Sequence, residues 1–187
     1  MKYLIAGLGN FGEKYSNTRH NIGFRVLDAV GEAFGVSFDD KRYGFVSKLR
    51  HKSRIFVLLK PTTYMNRSGR AVNYWLKKEK IPVENLLVVV DDIALPFGTI
   101  RIRPRGGDGG HNGLYSISQI LGTHEYARLR FGIGGEFQHG SQVNYVLGEL
   151  TEEELEVLPE RTEKAVEAIK SFGTLGVERT MTLYNNK

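Results

Sequence analysis

The 187-residue chain contains no cysteine, and it has no long hydrophobic run. The absence of cysteine excludes disulfides, thiolate nucleophiles, zinc fingers and iron–sulfur clusters. The longest purely apolar stretch in the middle of the chain, residues 86–90, is far shorter than the roughly 20 residues that a membrane span needs. The N-terminal residues turn polar and glycine-rich before a signal-peptide core could form. We therefore expect a soluble, cytoplasmic protein that does not bind membranes.

The composition is that of an ordinary globular protein. Apolar residues make up 41% of the chain and charged residues 25%, which excludes a disordered chain. Lysine and arginine outnumber aspartate and glutamate by 26 to 21, and the resulting charge of +5 suits a polyanionic partner without proving one. Because there is no internal repeat, linker or low-complexity segment, we predict a single domain over residues 1–187.

Short apolar runs alternate with helical patterns along the chain. Buried strands are predicted at residues 3–6 and 86–90, and a helix begins at Asn21, where apolar residues recur every four positions until Gly35 ends the pattern. Further predicted elements are a hairpin of strands 43–49 and 54–60, a helix up to Lys80, an exposed strand 99–103, a helix 114–121 and a strand 128–133. Strands interleaved with helices predict an α/β fold: one twisted, mostly parallel sheet with helices on both faces.

The C-terminal part begins with a helix start signal. Thr151 followed three residues later by Glu154 is a capping box, and it opens an acidic helical region that runs to Lys170. Pro159 lies inside this region. Because proline lacks the amide hydrogen that an inner helical turn needs, we expect the helix to be interrupted or restarted there.

The N-terminal segment Gly7-Leu8-Gly9-Asn10-Phe11-Gly12 matches the G-x-G-x-x-G pattern of dinucleotide-binding proteins. In that motif a helix begins within the glycines and binds a pyrophosphate. Residues 13–20 are polar and have no apolar stripe, and no acidic residue ends a second strand at the required distance. A nicotinamide-dependent oxidoreductase is therefore a minor alternative, which added NAD would test by raising the melting temperature.

Polar side chains follow several of the predicted strands, and in open α/β sheets such positions form the binding crevice. They are Asn10 with His20, then Asn66, Asp91 and Asn112. This set offers a base, an orienting acid and neutral amides, with no side-chain nucleophile, so the chemistry that remains is water activated by His20. Each residue also has a simpler interpretation as a turn or surface residue. The residues alone thus indicate a hydrolytic or binding site.

Several segments in register resemble the bacterial-type peptidyl-tRNA hydrolase family over nearly the whole chain. They are residues 7–15, Thr18-Arg19-His20-Asn21-Ile22-Gly23, residues 60–69 with Tyr64-Met65-Asn66, Asp91-Asp92-Ile93, Leu95-Pro96-Phe97-Gly98, Gly109-Gly110-His111-Asn112-Gly113, residues 128–134 and Tyr145-Val146-Leu147. The resemblance implies a monomeric enzyme without cofactor or metal. Its expected reaction is hydrolysis of the ester that joins a stalled peptide to the 3′ end of tRNA.

The resemblance also implies roles for individual residues. His20 is the expected general base, Asp91 its orienting acid, and Asn10 a hydrogen-bonding group near the ester. The expected substrate-binding residues are Tyr15, Asn21, Tyr64, Met65, Asn66, His111 and Asn112. Arg103 and Arg130 match a basic pair that binds the 5′ phosphate of the tRNA, for which guanidinium groups are well suited. The simpler interpretation is that Arg101, Arg103 and Arg105 form a solvated strand edge.

Two positions depart from the family pattern. Phe11 replaces the proline that commonly follows Asn10, which removes a fixed φ beside that residue. Ala94 stands where an aspartate is common, so we expect no acidic role there. The proposed base and its partner are both retained, which favours an enzyme over the alternative of a non-catalytic RNA-binding protein on the same scaffold.

Overall fold

The computed structural model describes residues 1–135 and 140–187, which contain seven strands in one sheet and six α-helices. The strands are β1 (Lys2–Gly7), β2 (Asp39–Lys41), β3 (Gly44–His51), β4 (Arg54–Pro61), β5 (Leu86–Asp92), β6 (Ile100–Arg103) and β7 (Ala127–Gly132). The helices are α1 (Ile22–Phe34), α2 (Ser68–Lys78), α3 (Asn112–Leu121), α4 (Gln142–Val146), α5 (Glu152–Leu175) and α6 (Val177–Tyr184). Short 3-10 helices cover Glu13–Tyr15, Arg19–Asn21, Met65–Arg67 and Val83–Asn85.

The sheet has the order β2-β3-β4-β1-β5-β7-β6. The four strands β4, β1, β5 and β7 are parallel, whereas β2, β3 and β6 pair antiparallel to their neighbours. The predicted α/β class and the predicted hairpin, β3–β4, are confirmed. The strand predicted at residues 99–103 is the antiparallel edge strand β6, whose Ile100 and Ile102 are buried while its arginines are not.

Helices cover both faces of the sheet, because alternate side chains of each strand enter two separate cores. In β1, Tyr3 and Ile5 pack in a core that contains residues of α1 and α5. Leu4 and Ala6 pack in a second core with residues of α2 and α3. Both faces of the central strands are therefore apolar, as the continuous hydrophobic runs predict.

The glycines of the G-x-G segment bring α1 close to the end of β1. A Cβ atom at Gly7 would lie 2.3 Å from the carbonyl oxygen of Gly23, and one at Gly23 would lie 2.5 Å from the backbone nitrogen of Leu8. The helix begins only at Ile22, well after the glycines, and ends at Gly35 in a left-handed conformation with φ 64°. Close packing accounts for these glycines, and the motif lacks the helix N-terminus that a pyrophosphate requires.

The expected interruption at Pro159 is wrong, because α5 is one continuous helix that contains this proline. Its capping box at Thr151 and Glu154 is confirmed. The helix continues past the proline because its later turns are buried in the first core through residues such as Val166, Ile169 and Phe172. Of the helices in residues 1–135 and 140–187, none has the length and apolar character needed to cross a bilayer.

Candidate active site

The candidate site lies at the carboxyl ends of the central parallel strands. The segment after β1 carries Asn10, β5 ends in Asp91 and Asp92, and the segment after β4 carries Asn66. His20 precedes α1, and His111 is the N-cap of α3, so the starts of two helices meet the same edge of the sheet. Crevices at this edge are where open α/β sheets bind ligands.

The carboxylate of Asp91 bridges two histidines. Its Oδ2 lies 2.8 Å from Nδ1 of His20, and its Oδ1 lies 2.8 Å from Nε2 of His111. The two imidazole rings are 5.0 Å apart between centroids. Burial raises the pKa of the Asp91 carboxyl, but His111 and His20 lower it by more, so this pKa is held well below its usual value. Asp91 is therefore ionised at neutral pH and accepts a hydrogen bond from each ring.

The bonds of His111 determine where its proton lies. Its Nδ1 accepts hydrogen bonds from the backbone N–H groups of Gly113 and Leu114, at 3.1 and 3.4 Å, and so caps helix α3. A nitrogen that accepts carries no proton, so the proton is on Nε2 and is donated to Asp91. Both nitrogens of His111 are thus engaged within the protein. This leaves no ring nitrogen for the substrate contact that the resemblance predicts.

The bonds of His20 leave one nitrogen available. Nδ1 faces Asp91, while Nε2 has no hydrogen-bond partner among the described residues, and the side chain lines a cavity. The short helix that carries His20 is tied to the C-terminal part of the chain. The N–H of Arg19 donates to the carbonyl of Gly148, and its guanidinium lies 3.0 Å from the Glu154 carboxylate. His20 is therefore fixed from both sides with Nε2 towards solvent.

The cavity beside His20 has a volume of about 370 Å³ and is open to solvent. Asp91, His111, Asn112 and Arg130 line it, together with the glycines of the loop before α3. Gln142, Val143 and Val146 of α4 complete the wall. The sequence analysis did not assign these three residues to the site, although Val146 lies in a segment that resembles the family, because a five-residue helix carries too little periodicity to be recognised.

A second group of buried residues fixes Asn10. Its backbone N–H donates to Oδ1 of Asn21 at 2.7 Å, and its carbonyl accepts from Nδ2 of Asn21 at 2.9 Å. Its side-chain Oδ1 accepts from the backbone N–H of Met65 at 2.7 Å. The amide of Asn21 is thus directed at the Asn10 backbone, and Nδ2 of Asn10 is left without a hydrogen-bond partner among the described residues. Phe11, which is largely exposed, does not disturb this arrangement.

Asn66 does not line the cavity beside His20. Asn66 is exposed and lines a depression of about 420 Å³ with Tyr64, whereas Asn112 lines the cavity beside His20. Tyr64 has φ 61° and ψ 159°, an unfavourable conformation for a residue with a side chain. Its ring meets that of Tyr15 edge to face, with centroids 6.5 Å apart. The two tyrosines therefore form a pair beside Asn66 in which Tyr64 is exposed and Tyr15 is half-buried.

The two predicted phosphate-binding arginines lie on one face of the sheet. Arg101 pairs with Arg130 and Arg103 with Arg128 across β6 and β7, so all four side chains share a face. Arg103 and Arg130 are partly exposed, and the guanidinium of Arg130 lies 3.7 Å from Asp92. Arg128 is fully buried, where it donates to the carbonyls of Gly107, His124 and Tyr126. Burial and these bonds give Arg128 a structural role.

Within the described residues, His20, Asp91 and His111 form one group whose composition could suit a metal ion. Their nitrogen-to-oxygen distances of 2.8 Å are those of hydrogen bonds, and each Asp91 oxygen already has an imidazole partner. An ion would have to break these bonds. The donor set therefore fits a proton-transfer network better than a metal centre.

Comparisons with known proteins show the family of this chain. The family model described as peptidyl-tRNA hydrolase matches residues 4–187. The chain is 57% identical to the peptidyl-tRNA hydrolase of Parabacteroides distasonis over the full length of both, and 57% identical to that of Porphyromonas gingivalis over 99% of this chain and 100% of the relative. The crystal structure of peptidyl-tRNA hydrolase from Acinetobacter baumannii superposes with a TM-score of 0.92 at 32% identity, covering 98% of this chain and 94% of that one. The chain therefore belongs to the peptidyl-tRNA hydrolase family and is a hydrolase that acts on ester bonds.

Proposed function

We propose that this chain hydrolyses the ester bond between a peptide and the 3′ end of tRNA, using a water molecule that His20 deprotonates. The observation that carries this mechanism is the 2.8 Å contact of His20 Nδ1 with Asp91, which leaves Nε2 facing a solvent-accessible cavity. An imidazole oriented in this way can act as a general base. The ionised Asp91 stabilises the imidazolium that forms.

The reaction then balances with the residues of this chain alone. Nε2 of His20 takes a proton from water while the water oxygen attacks the ester carbonyl carbon, which gives a tetrahedral intermediate. The bond from this carbon to the ribose 3′ oxygen breaks, and the imidazolium returns its proton to that oxygen. The products are a peptide with a free carboxyl group and a tRNA with a free 3′ hydroxyl.

Asn10 is the proposed donor to the developing negative charge on the carbonyl oxygen. Its Oδ1 is already bound by the backbone of Met65, which fixes the side chain so that the remaining N–H groups can donate. Asn21 acts through Asn10 as a positioning residue, because both polar atoms of its side-chain amide, Oδ1 and Nδ2, contact the Asn10 backbone. His111 is likewise a positioning residue for Asp91.

The remaining residues are proposed to bind the two ends of the substrate. Asn66 and Asn112 bind the peptide main chain, since neutral amides recognise N–H and C=O groups without selecting a side chain. Met65, Tyr15 and Tyr64 pack beside the peptide. Arg103 and Arg130 bind the 5′ phosphate of the tRNA. One copy of the chain, folded as one domain, supplies all of these groups, so we propose that a monomer is active.

The test is the release of deacylated tRNA from peptidyl-tRNA by the His20→Ala variant. We expect kcat to fall at least about 100-fold, the usual contribution of a positioned general base. His124→Ala is the matched control, because His124 is exposed and does not line the cavity; its activity is expected to equal that of the wild type. If His20→Ala stays within a few-fold of the wild type, His20 is not the base. If the wild type binds peptidyl-tRNA without hydrolysing it, the non-catalytic alternative is correct.

A further inference from the structure

Helix α2 and the residue that precedes it carry a row of cations that the proposed mechanism does not use. Arg67, Arg70, Lys77 and Lys78, here called the basic stripe, are all exposed. Arg67, Arg70 and Lys77, with Tyr74 between the last two, follow a spacing of three, four and three residues, which places them on one side of a helix. Two surface depressions run along this side. They share Tyr43 and Arg70 and have volumes of about 420 and 470 Å³.

The stripe is continuous with the proposed peptide site. Asn66 and Tyr64 line the first depression together with Arg67 and Arg70. The second depression continues past Tyr74 to Lys77 and Lys78. A chain that leaves Asn66 along the surface therefore meets the basic stripe next.

The aromatic rings along the stripe are held in place by their neighbours. Tyr43 and Tyr74 meet edge to face, with centroids 5.4 Å apart. The guanidinium of Arg42 lies over both rings, at 5.1 and 5.4 Å, and its carbonyl accepts a hydrogen bond from the indole N–H of Trp75. The stripe thus borders a fixed apolar surface on which an extended chain can lie.

The charge of the stripe is not neutralised locally. Within the part of the chain that the structure describes, no carboxylate lies within 4 Å of its four cations. Neither depression is lined by an acidic residue. Glu79, at the end of α2, is already paired with Lys2 and Lys48. The basic stripe therefore complements a ligand with carboxylates.

The sheet order separates this ligand from the tRNA. The phosphate-binding arginines lie on β6 and β7 at one edge of the sheet, whereas α2 packs over β4 and β1 towards the other edge. Asp91, at the end of β5, lies between them. With the tRNA end of the ester directed towards β6 and β7, the peptide end is directed towards α2. The stripe lies on the peptide side.

We infer that the basic stripe binds acidic side chains of the peptide part of the substrate, so that the enzyme prefers peptidyl-tRNAs with Glu or Asp a few residues before the ester. This inference rests on the proposed function and specifies its substrate class. The eleven-residue rise from Arg67 to Lys78 is about 16 Å at 1.5 Å per residue. An extended peptide covers this length with about five residues, so the relevant positions are about five consecutive residues beyond those that contact Asn66.

The experiment compares two peptidyl-tRNAs that differ only at these positions, one with two Glu residues and one with two Gln residues. We expect the wild type to have a kcat/KM about three- to tenfold higher for the Glu substrate, through a lower KM, and to lose this preference as salt is added. Arg67→Gln/Arg70→Gln is expected to remove the preference while leaving the Gln substrate unchanged. The charge-matched control is Arg50→Gln/Arg179→Gln, which removes two exposed cations outside the depressions and is expected to keep the preference.

The outcomes separate this inference from the proposed function. Equal kcat/KM for the two substrates in the wild type, with both hydrolysed, overturns the inference alone. Hydrolysis of neither substrate overturns the proposed function. The affinity for deacylated tRNA is measured for the same variants, and we expect Arg67→Gln/Arg70→Gln to leave this affinity unchanged. If Arg67→Gln/Arg70→Gln weakens tRNA binding as much as it weakens the Glu substrate, the stripe binds RNA and the inference is wrong.

Discussion

The polar residues around His20 differ sharply between the buried part of the site and its exposed rim. In the buried part, Asp91 and Asn10 are each held by two other residues through hydrogen bonds of 2.7–2.9 Å. On the rim, the side chains of Asn66 and Asn112 are exposed and have no hydrogen-bond partner among the described residues. The buried groups thus act on one another, whereas the rim groups face solvent.

This difference follows from the cost of burying polar atoms and matches the two tasks of the enzyme. A buried donor or acceptor must be paired, so the network around Asp91 has essentially one arrangement. Exposed amides exchange bonds with water at little cost and can adapt to different peptides. We therefore expect substitutions in the buried network to act on kcat and substitutions on the rim to act on binding.

The largest effect is expected for Asp91→Asn. The substitution removes the charge that is proposed to stabilise the imidazolium of His20, and it places an amide N–H group against an imidazole N–H. We expect kcat to fall by about 100-fold or more with little change in KM, measured by single-turnover hydrolysis. Asp92→Asn is the control, because Asp92 contacts Arg130 and Ala94 but neither histidine. A kcat for Asp91→Asn within a few-fold of the wild type would contradict the role of Asp91.

The same substitution is expected to change how the stability of the protein depends on pH. Since folding lowers the pKa of Asp91, its ionised form stabilises the native state at pH values above the usual carboxyl pKa of about 4, and this contribution is lost as the pH falls further. The melting temperature of the wild type is expected to exceed that of Asp91→Asn most at neutral pH and to approach it near pH 3. If the difference between the two melting temperatures grows as the pH falls, the pKa of Asp91 is not lowered by folding.

A smaller effect, about tenfold on kcat, is expected for His111→Asn. Asparagine is a good N-cap, so it can replace Nδ1 at the start of α3, but it is too short to keep the bond to Asp91. The melting temperature should therefore change little, while His111→Ala, which also removes the cap, lowers it. A positioning role reduces kcat and leaves KM unchanged. An increase in KM alone would instead support the substrate contact that the resemblance predicts.

On the rim, Arg130→Ala is expected to weaken tRNA binding several-fold at low salt and to leave kcat at saturating substrate nearly unchanged. If Arg130 contacts a phosphate, the slope of the logarithm of affinity against that of salt concentration falls by about one. Arg101→Ala is the control on the same face of the sheet, since Arg101 hydrogen-bonds Asn186. An unchanged slope for Arg130→Ala would exclude a phosphate contact.

The smallest effect is expected for Phe11→Pro, which restores the residue common in the family. Asn10 is already fixed by three hydrogen bonds, and no described backbone hydrogen bond comes from the Phe11 amide. We expect kcat and KM within about twofold of the wild type. A several-fold gain in kcat would mean that the bonds to Asn21 and Met65 do not suffice to place Asn10.

Much of the fold was predictable because the relevant signals are local. The four-residue spacing of Ile22, Val26, Val30 and Phe34 predicts α1, and Gly35 ends it through a left-handed turn. The capping box at Thr151 likewise needs only neighbouring residues. In contrast, β2 is a charged segment, Asp39–Lys41, with no apolar alternation, and it is a strand only because β3 offers it backbone hydrogen bonds.

The candidate site was predictable to a different degree for different residues. Asn10, His20 and Asp91 were predicted from the resemblance and from their positions after strands, because residues after parallel strands share one edge of the sheet. Neither source indicates that Asn21 binds the Asn10 backbone or that His111 shares Asp91 with His20. These pairings depend on distances between segments far apart in the chain.

The sequence by itself determined most of the helices and strands, the two apolar faces of the sheet and the chemical groups at its carboxyl edge, since each depends on patterns of a few residues. Only the tertiary structure decided that α5 runs through Pro159, that Asn66 does not line the cavity of His20 and that His111 contacts both Asp91 and the start of α3. The physical reason is that burial and hydrogen-bond satisfaction are properties of the packed chain. A side chain's partners, and hence its protonation and role, are fixed only when distant segments meet.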